Sequence, residues 1–198
     1  MSDLNKLVKI SLFFLAFLLL PACALSPQTI QISPDLTPTG IGPVSGTTLA
    51  LDVQDQRRNP VVGYRGGIYT TAAITTEDNV AASIRTELSR VLSGLGYSIV
   101  KKGTPAGASL DIELQKLDYK ATQENILWKV HVSAQINAEV SVGTKTISNN
   151  FEDRLTKEFA TAPSMLDNEK LINKEVSGLL QRILTDQDIS KLLSSGSQ

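Results

Sequence analysis

Cys23 is the only thiol in the sequence and His131 the only imidazole, so nucleophilic catalysis has one thiolate and one base of that kind to draw on. His131 falls on the polar side of an alternating run, where a solvated imidazole is expected. No Gly-x-Ser-x-Gly segment presents a serine. One Cys and one His cannot supply the soft ligands of a zinc site, so no metal is expected. Asp111 and Glu113 project from one face of a strand, as a glycosidase pair would. That face is the wet one, and without burial to raise one pKa the two read as solubilising residues. Gly40, Gly42 and Gly46 have the wrong spacing for a dinucleotide loop, and a strand follows where a helix is required. Trp128 lies on an apolar stripe and is expected in the core. The remaining candidate is the turn holding Tyr64, Arg65, Gly66, Gly67 and Tyr69. Tyr and Arg are enriched at binding hot spots, and a Gly-rich hairpin can approach a partner closely. Its alternative is an exposed hairpin tip. No enzyme is expected.

Cys23 has a more specific reading. Lys6 and Lys9 precede an apolar run from Ile10 to Leu20, the shape of an export signal. An 11-residue helix covers roughly 17 Å at ~1.5 Å per residue, too short for a ~30 Å hydrocarbon layer. The run ends in Leu20, Pro21, Ala22 and Cys23, which resembles the bacterial lipobox, although Pro21 departs from the commoner residues there. The resemblance implies cleavage after residue 22, diacylglycerol on the Cys23 thiol and an acyl chain on its new amino group. It implies no other cofactor. Ala24, in place of Asp, implies outer-membrane sorting, with the domain facing the periplasm.

Those residues need a scaffold. Apolar residues make up 41% of the chain and charged ones 20%, which suits a packed interior. Removing Asp3, Lys6 and Lys9 with the leader from 19 basic and 20 acidic residues leaves a net charge of −2, and no basic field to hold nucleic acid. Pro27, Pro34, Pro38 and Pro43 with Gly40, Gly42 and Gly46 make residues 23–46 read as a tether, up to about 70 Å long at ~3.1 Å per residue. Ile30 and Ile32 alternate with polar neighbours, so part of it can dock as a short edge strand.

Residues 47–198 read as a single domain. Leu49, Leu51 and Val53 mark a strand, and residues 60–64 and 68–74 form a hairpin around Arg65 to Gly67. Thr76 or Asp78 caps a helix with Val80, Ile84, Leu88, Val91 and Leu95 inward, ended by Gly94 or Gly96. Tyr97 and Ile99 open a short strand; Leu110, Ile112 and Leu114 mark another. From Ile126 through Trp128 to Val142 every second residue is apolar, the pattern of an antiparallel sheet with one wet face. Ile147, Phe151, Leu155 and Phe159 line a final strand. Ser164 or Asp167 caps a second helix carrying Leu171, Ile172, Val176, Leu179, Leu180 and Ile183, and Asp186 starts a short last one. The expected fold is α+β: a two-layer antiparallel sheet with two main helices on one face.

This order resembles the YajG family of bacterial lipoproteins. The resemblance rests on Pro27, Thr29, Ile30, Ile32, Ser33 and Pro34 after the cysteine, Val53, Asp55 and Arg57 closing a strand, Asn79 to Leu92 as a helix, and Gly96 with Tyr97 opening the next strand. It implies an envelope location and offers no catalytic residue. Two functions remain open: a non-enzymatic module that binds an envelope protein, or an accessory lipoprotein that binds or passes on an apolar small molecule or lipid in an enclosed cavity.

Overall fold

The alternation from Trp128 to Val142 is realised as a strand that organises the rest of the molecule. The computed structural model describes residues 26–44, 46–66, 69–77 and 79–196, with the backbone alone at Tyr69 and Thr70. Its strands are β1 (Gln28–Ile30), β2 (Thr48–Asp55), β3 (Val61–Gly66), β4 (Tyr69–Thr76), β5 (Ser98–Lys101), β6 (Ala108–Glu124), β7 (Leu127–Val142) and β8 (Lys145–Phe159). Among the described residues three helices accompany them: α1 (Val80–Gly94), α2 (Met165–Thr185) and α3 (Gln187–Ser195). β7 buries Trp128, Val130, Val132, Ala134, Ile136, Ala138 and Val140, while Lys129, His131, Gln135 and Asn137 keep contact with water. α2 and α3 pack on that apolar side and α1 packs on β2 and β5. One contiguous buried cluster joins them.

The α+β class holds, but the flat antiparallel layer does not. The sheet is mixed and curls as a half-barrel. β6, β7 and β8 are antiparallel neighbours, whereas β2 runs parallel to both β5 and β6, β3 parallel to β6, and β1 parallel to β4. Alternation reports which face a residue takes and says nothing of strand direction. Parallel neighbours ordinarily need a crossover of a dozen or more residues. Here β5 is only four residues long. Residues 102–107 can therefore carry the chain across β2 to begin β6, with Lys102 bonded to Asp111 (3.0 Å) on the polar side.

β6 is longer than its alternation suggests. Leu110, Ile112 and Leu114 point inward, then a bulge between Leu114 and Lys116 shifts the phase, and Leu117, Tyr119 and Ala121 point inward instead. An extra residue in one strand swaps the faces of everything after it, so a strict period of two fails across the bulge. The edge of β6 opposite β7 is shared. β2 covers residues 108–114, residues 56–60 loop out beside the bulge, and β3 rejoins at Tyr119 and Lys120.

The segment expected to be a tether lies on the domain from Ser26 onward. β1 is the anticipated docked strand, and beyond it Ile32, Pro34, Leu36 and Ile41 are buried as well. The outward-facing residues are stitched to α2. The N–H groups of Gln31, Ser33, Asp35 and Thr37 donate to Glu169 Oε2 (3.0 Å), Asn173 Oδ1 (2.7 Å), Ser177 Oγ (3.0 Å) and Gln181 Oε1 (3.0 Å). Two extended residues advance ~6.6 Å and four helical ones ~6.0 Å, so the two periods stay in step for several repeats. On the other flank Leu36 N donates to Glu87 Oε1 (2.8 Å) and Arg90 donates to Leu36 O (2.8 Å). The strap therefore fills the groove between α1 and α2.

The helix ends follow the expected chemistry in part. Ser164 and Asp167 form a reciprocal capping box on α2, and Asp186 accepts from Asp188 N and Ile189 N to start α3. α1 is entered through Asn79 without a side-chain cap, and Asp78 lies outside the described residues. Past its end, Gly96 takes φ +97°, the left-handed conformation that glycine adopts freely.

Candidate interaction surface

Of the described residues singled out for chemistry, His131, Asp111 and Trp128 are each engaged by neighbouring elements. His131 Nδ1 is 2.8 Å from Thr156 Oγ1 on the neighbouring strand. Asp111 is engaged by Lys102, which also approaches Asp52 at 3.8 Å, so the Asp111 and Glu113 face carries a cation between strands. Trp128 is buried opposite Phe159, as its stripe implied. Among the described residues no cluster of three His, Cys, Asp or Glu side chains is arranged to hold a metal.

One titratable residue went unnoticed in the sequence. Glu175 occupies the inner stripe of α2 between Leu171 and Leu179, and its Oε1 is buried without a hydrogen-bond partner. Burial pushes its carboxyl up to about 7, with the Asp153 charge adding to the shift and Arg182 opposing it. The unfolded carboxyl ionises near 4.5. Between those values the folded state holds a proton that the unfolded state has lost, so stability falls as pH rises through the window and the deficit is complete above it. With solvent screening discounted, that deficit is on the order of 2 kcal/mol. Glu175→Gln is expected to flatten the slope between about pH 4.5 and 7 and to stabilise the domain at higher pH by that amount, measured by urea unfolding across the range. An unchanged slope would place the titrating group elsewhere.

The candidate hairpin is the β3–β4 turn. Cys23 and the lipobox residues Leu20, Pro21 and Ala22 lie outside the described residues, as do Gly67 and the side chain of Tyr69. Tyr64 is exposed, and the Arg65 guanidinium donates to the carbonyl of Ser26 (3.4 Å). Gly63 and Gly66 serve the chain itself. A Cβ on Gly66 would stand 2.1 Å from Ala121 O, and one on Gly63 1.9 Å from Tyr119 O. They let β3 lie close against β6, so close approach to a partner is not what requires them.

The turn has apolar company. Of the described residues, the large hydrophobic side chains left exposed are Tyr64 (51%), Ile126 (81%), Leu127 (40%), Met165 (46%) and Leu166 (58%). Ile126, expected as the first inward residue of the long alternation, sits instead in the β6–β7 turn beside Asn125, whose φ is +55°. Strand registers bring all five to one end of the molecule. Gly66 abuts Ala121 near the end of β6, Gln123 pairs with Trp128 across the turn, Trp128 pairs with Phe159, and Met165 follows Phe159 within six residues. Ser26 is at the same end. Tyr119 Oη donates to Asn168 Oδ1 (2.7 Å), and Asn168 Nδ2 donates to Gln28 Oε1 (2.8 Å), tying β6, the first turn of α2 and β1 together in a buried chain.

The other exposed feature is the polar side of β6–β8. Lys116, Asp118, Lys120, His131, Ser133 and Arg154 border an open depression of about 350 Å³ there. No described helix is long and apolar enough to cross a membrane.

Comparison with known proteins agrees with the fold. The family model described as "Uncharacterized lipoprotein" matches residues 36–194. The chain is 22% identical over 179 residues to the uncharacterized lipoprotein YajG of Escherichia coli (strain K12), covering 90% of this chain and 88% of that one. The same figures hold for YajG of Escherichia coli O6:H1. A crystal structure of protein XCC0632 from Xanthomonas campestris has a TM-score of 0.53 over 84% of this chain and 95% of that chain, at 11% identity, which is a likeness of fold. The chain belongs to the family of uncharacterized lipoproteins that includes YajG.

Proposed function

We propose that the protein is acylated on Cys23, held on the periplasmic side of the outer membrane, and acts as a non-enzymatic module that binds an envelope protein. The observation carrying the binding reading is the open side of the sheet. Among the described residues β8, 15 residues long, pairs with no strand but β7; Arg182 of α2 takes the Glu152 carbonyl (3.2 Å), and the rest of the outer edge offers main-chain donors and acceptors to an added strand. Glu152, Asp153, Arg154, Lys157 and Glu158 guard that edge with charge, which selects against indiscriminate pairing. The adjacent depression sets Lys120 and Arg154 beside a Lys116–Asp118 ion pair (3.2 Å), and its excess positive charge favours a partner presenting acidic residues. The other reading, carriage of an apolar molecule, needs an enclosed apolar cavity between helices and sheet. That space is occupied by Trp128, Val130, Val132 and Ile136 against Ile172, Val176 and Leu180, so no specific observation favours it.

A photo-crosslinking residue at Lys157 in intact cells is expected to capture one envelope protein, with capture lost when Lys116, Lys120 and Arg154 are together changed to Glu. Turnover of a cell-wall or lipid substrate by the purified domain, abolished by changing a surface carboxylate, would overturn the non-enzymatic reading.

A further inference from the structure

The apolar end of the domain lies where the anchor must be. Ser26 is three residues from Cys23, a reach of at most about 11 Å when fully extended. Its carbonyl is held by Arg65, and Gln28 is registered against Ile74. Because β1 runs parallel to β4, the chain traced back from Gln28 heads toward the β3–β4 turn. A domain standing off on a long tether could meet the membrane in any orientation. This one cannot, because the residues that would supply the slack are spent on the strap along α2.

We propose that this end is a membrane-docking rim, in which Tyr64, Ile126, Leu127, Met165 and Leu166 enter the headgroup region of the bilayer that holds the acyl chains. The inference rests on acylation of Cys23. Its independent support is that the exposed large hydrophobic residues come from three separate parts of the chain, β3, the β6–β7 turn with the first residue of β7, and the first turn of α2, and lie toward the one end from which the chain leaves for the anchor. The opposite end is polar: residues 102–107 and the turn at Gly143 and Thr144 are exposed and carry no large hydrophobic side chain. A bilayer interface accommodates this mixture of aliphatic side chains and a tyrosine, whose ring is apolar and whose hydroxyl stays wet. Docking there would stand β7 and β8 upright on the membrane, their Leu127 and Phe159 ends at its surface and their Val142 and Lys145 ends in the periplasm.

Because Cys23 is consumed by lipid, Ile126→Cys, Leu166→Cys and Thr144→Cys each give the full-length acylated protein one free thiol for an environment-sensitive fluorophore. In phosphatidylethanolamine and phosphatidylglycerol vesicles carrying a headgroup-depth nitroxide lipid, the labels at 126 and 166 are expected to be quenched several-fold more than the label at 144. The difference should persist when about twelve Gly and Ser residues are inserted between Ala24 and Leu25, because the rim itself holds the surface. Equal, weak quenching at all three sites, or loss of the difference on lengthening, would overturn the rim while fatty-acid labelling of Cys23 still upheld the anchor. A protein rather than phospholipid captured by photo-crosslinkers at 126 and 166 in cells would also overturn it. Absence of the fatty-acid label would instead remove the anchor reading on which the rim depends.

Discussion

Cys23→Ser is expected to abolish fatty-acid labelling completely and to leave the leader uncleaved, so that the protein runs at its unprocessed size. The effect is all or none because the thiol is the only one in the chain and the lipobox-like segment Leu20, Pro21, Ala22 presents no second acceptor. Each buried methylene contributes ~0.8 kcal/mol, so two or three acyl chains hold a protein for practical purposes permanently. A variant whose soluble domain is released by separate cleavage should therefore leave the membrane fraction altogether. Five rim side chains entering only the headgroup region do not replace that anchorage; their contribution is to orientation. Undiminished labelling of Cys23→Ser would show that the lipid is attached elsewhere or that the leader is an ordinary one.

How much of this was legible in the sequence depends on what each residue pattern encodes. β7 was legible because from Leu127 to Ser141 seven buried and seven half-exposed or exposed positions alternate, interrupted only by the buried Ser133. β6 was legible only as far as Leu114, since the bulge moves Leu117, Tyr119 and Ala121 to the opposite parity. The strap announced its alternation through Ile30 and Ile32 alone; the burial of Pro34 and Leu36 continues it through residues whose prolines read as a tether. Its partners did not announce themselves, because Glu169, Asn173, Ser177 and Gln181 look like the solvated face of any amphipathic helix until an extended chain of matching repeat is laid on them. Parallel pairing leaves no trace in alternation at all. The rim was hidden for the opposite reason: period two assigns Ile126 to the core and Leu127 to the wet face, and Met165 and Leu166 precede the inner stripe of α2 that starts at Leu171, so periodicity does not group the four. Only the register, which ends the β6–β7 ladder at Leu127 and starts α2 at Met165, sets them outside the core. The hairpin lies where the sequence put it, with Arg65 and Gly66 inside β3, and Tyr64 is exposed, but Gly63 and Gly66 answer to β6.

Substituting those glycines is expected to produce the largest loss of stability. Gly66 adopts φ +76°, and a Cβ there would stand 2.1 Å from the carbonyl oxygen of Ala121 and 2.8 Å from its carbon. Both obstacles are backbone atoms of β6, which is pinned along its other edge by β7 and cannot yield. A left-handed conformation costs an L-residue ~1–2 kcal/mol and overpacking a further ~1–3, so Gly66→Ala should lower unfolding stability by about 3 kcal/mol. Gly63→Ala separates the two causes. Its φ is not in the left-handed region, yet its Cβ would meet Tyr119 O at 1.9 Å, so the overpacking contribution remains by itself. Either change must lift β3 from β6, exposing Val62, which is 4% accessible, and shifting Arg65 away from Ser26. Once β3 has lifted, the second substitution meets less resistance, and the double variant should lose less than the two single losses combined. Urea unfolding of the three variants measures this directly. Additive losses would mean that β3 yields locally at each glycine, and a loss below about 1 kcal/mol for Gly66→Ala would mean that β3 does not sit against β6 as closely as its register requires.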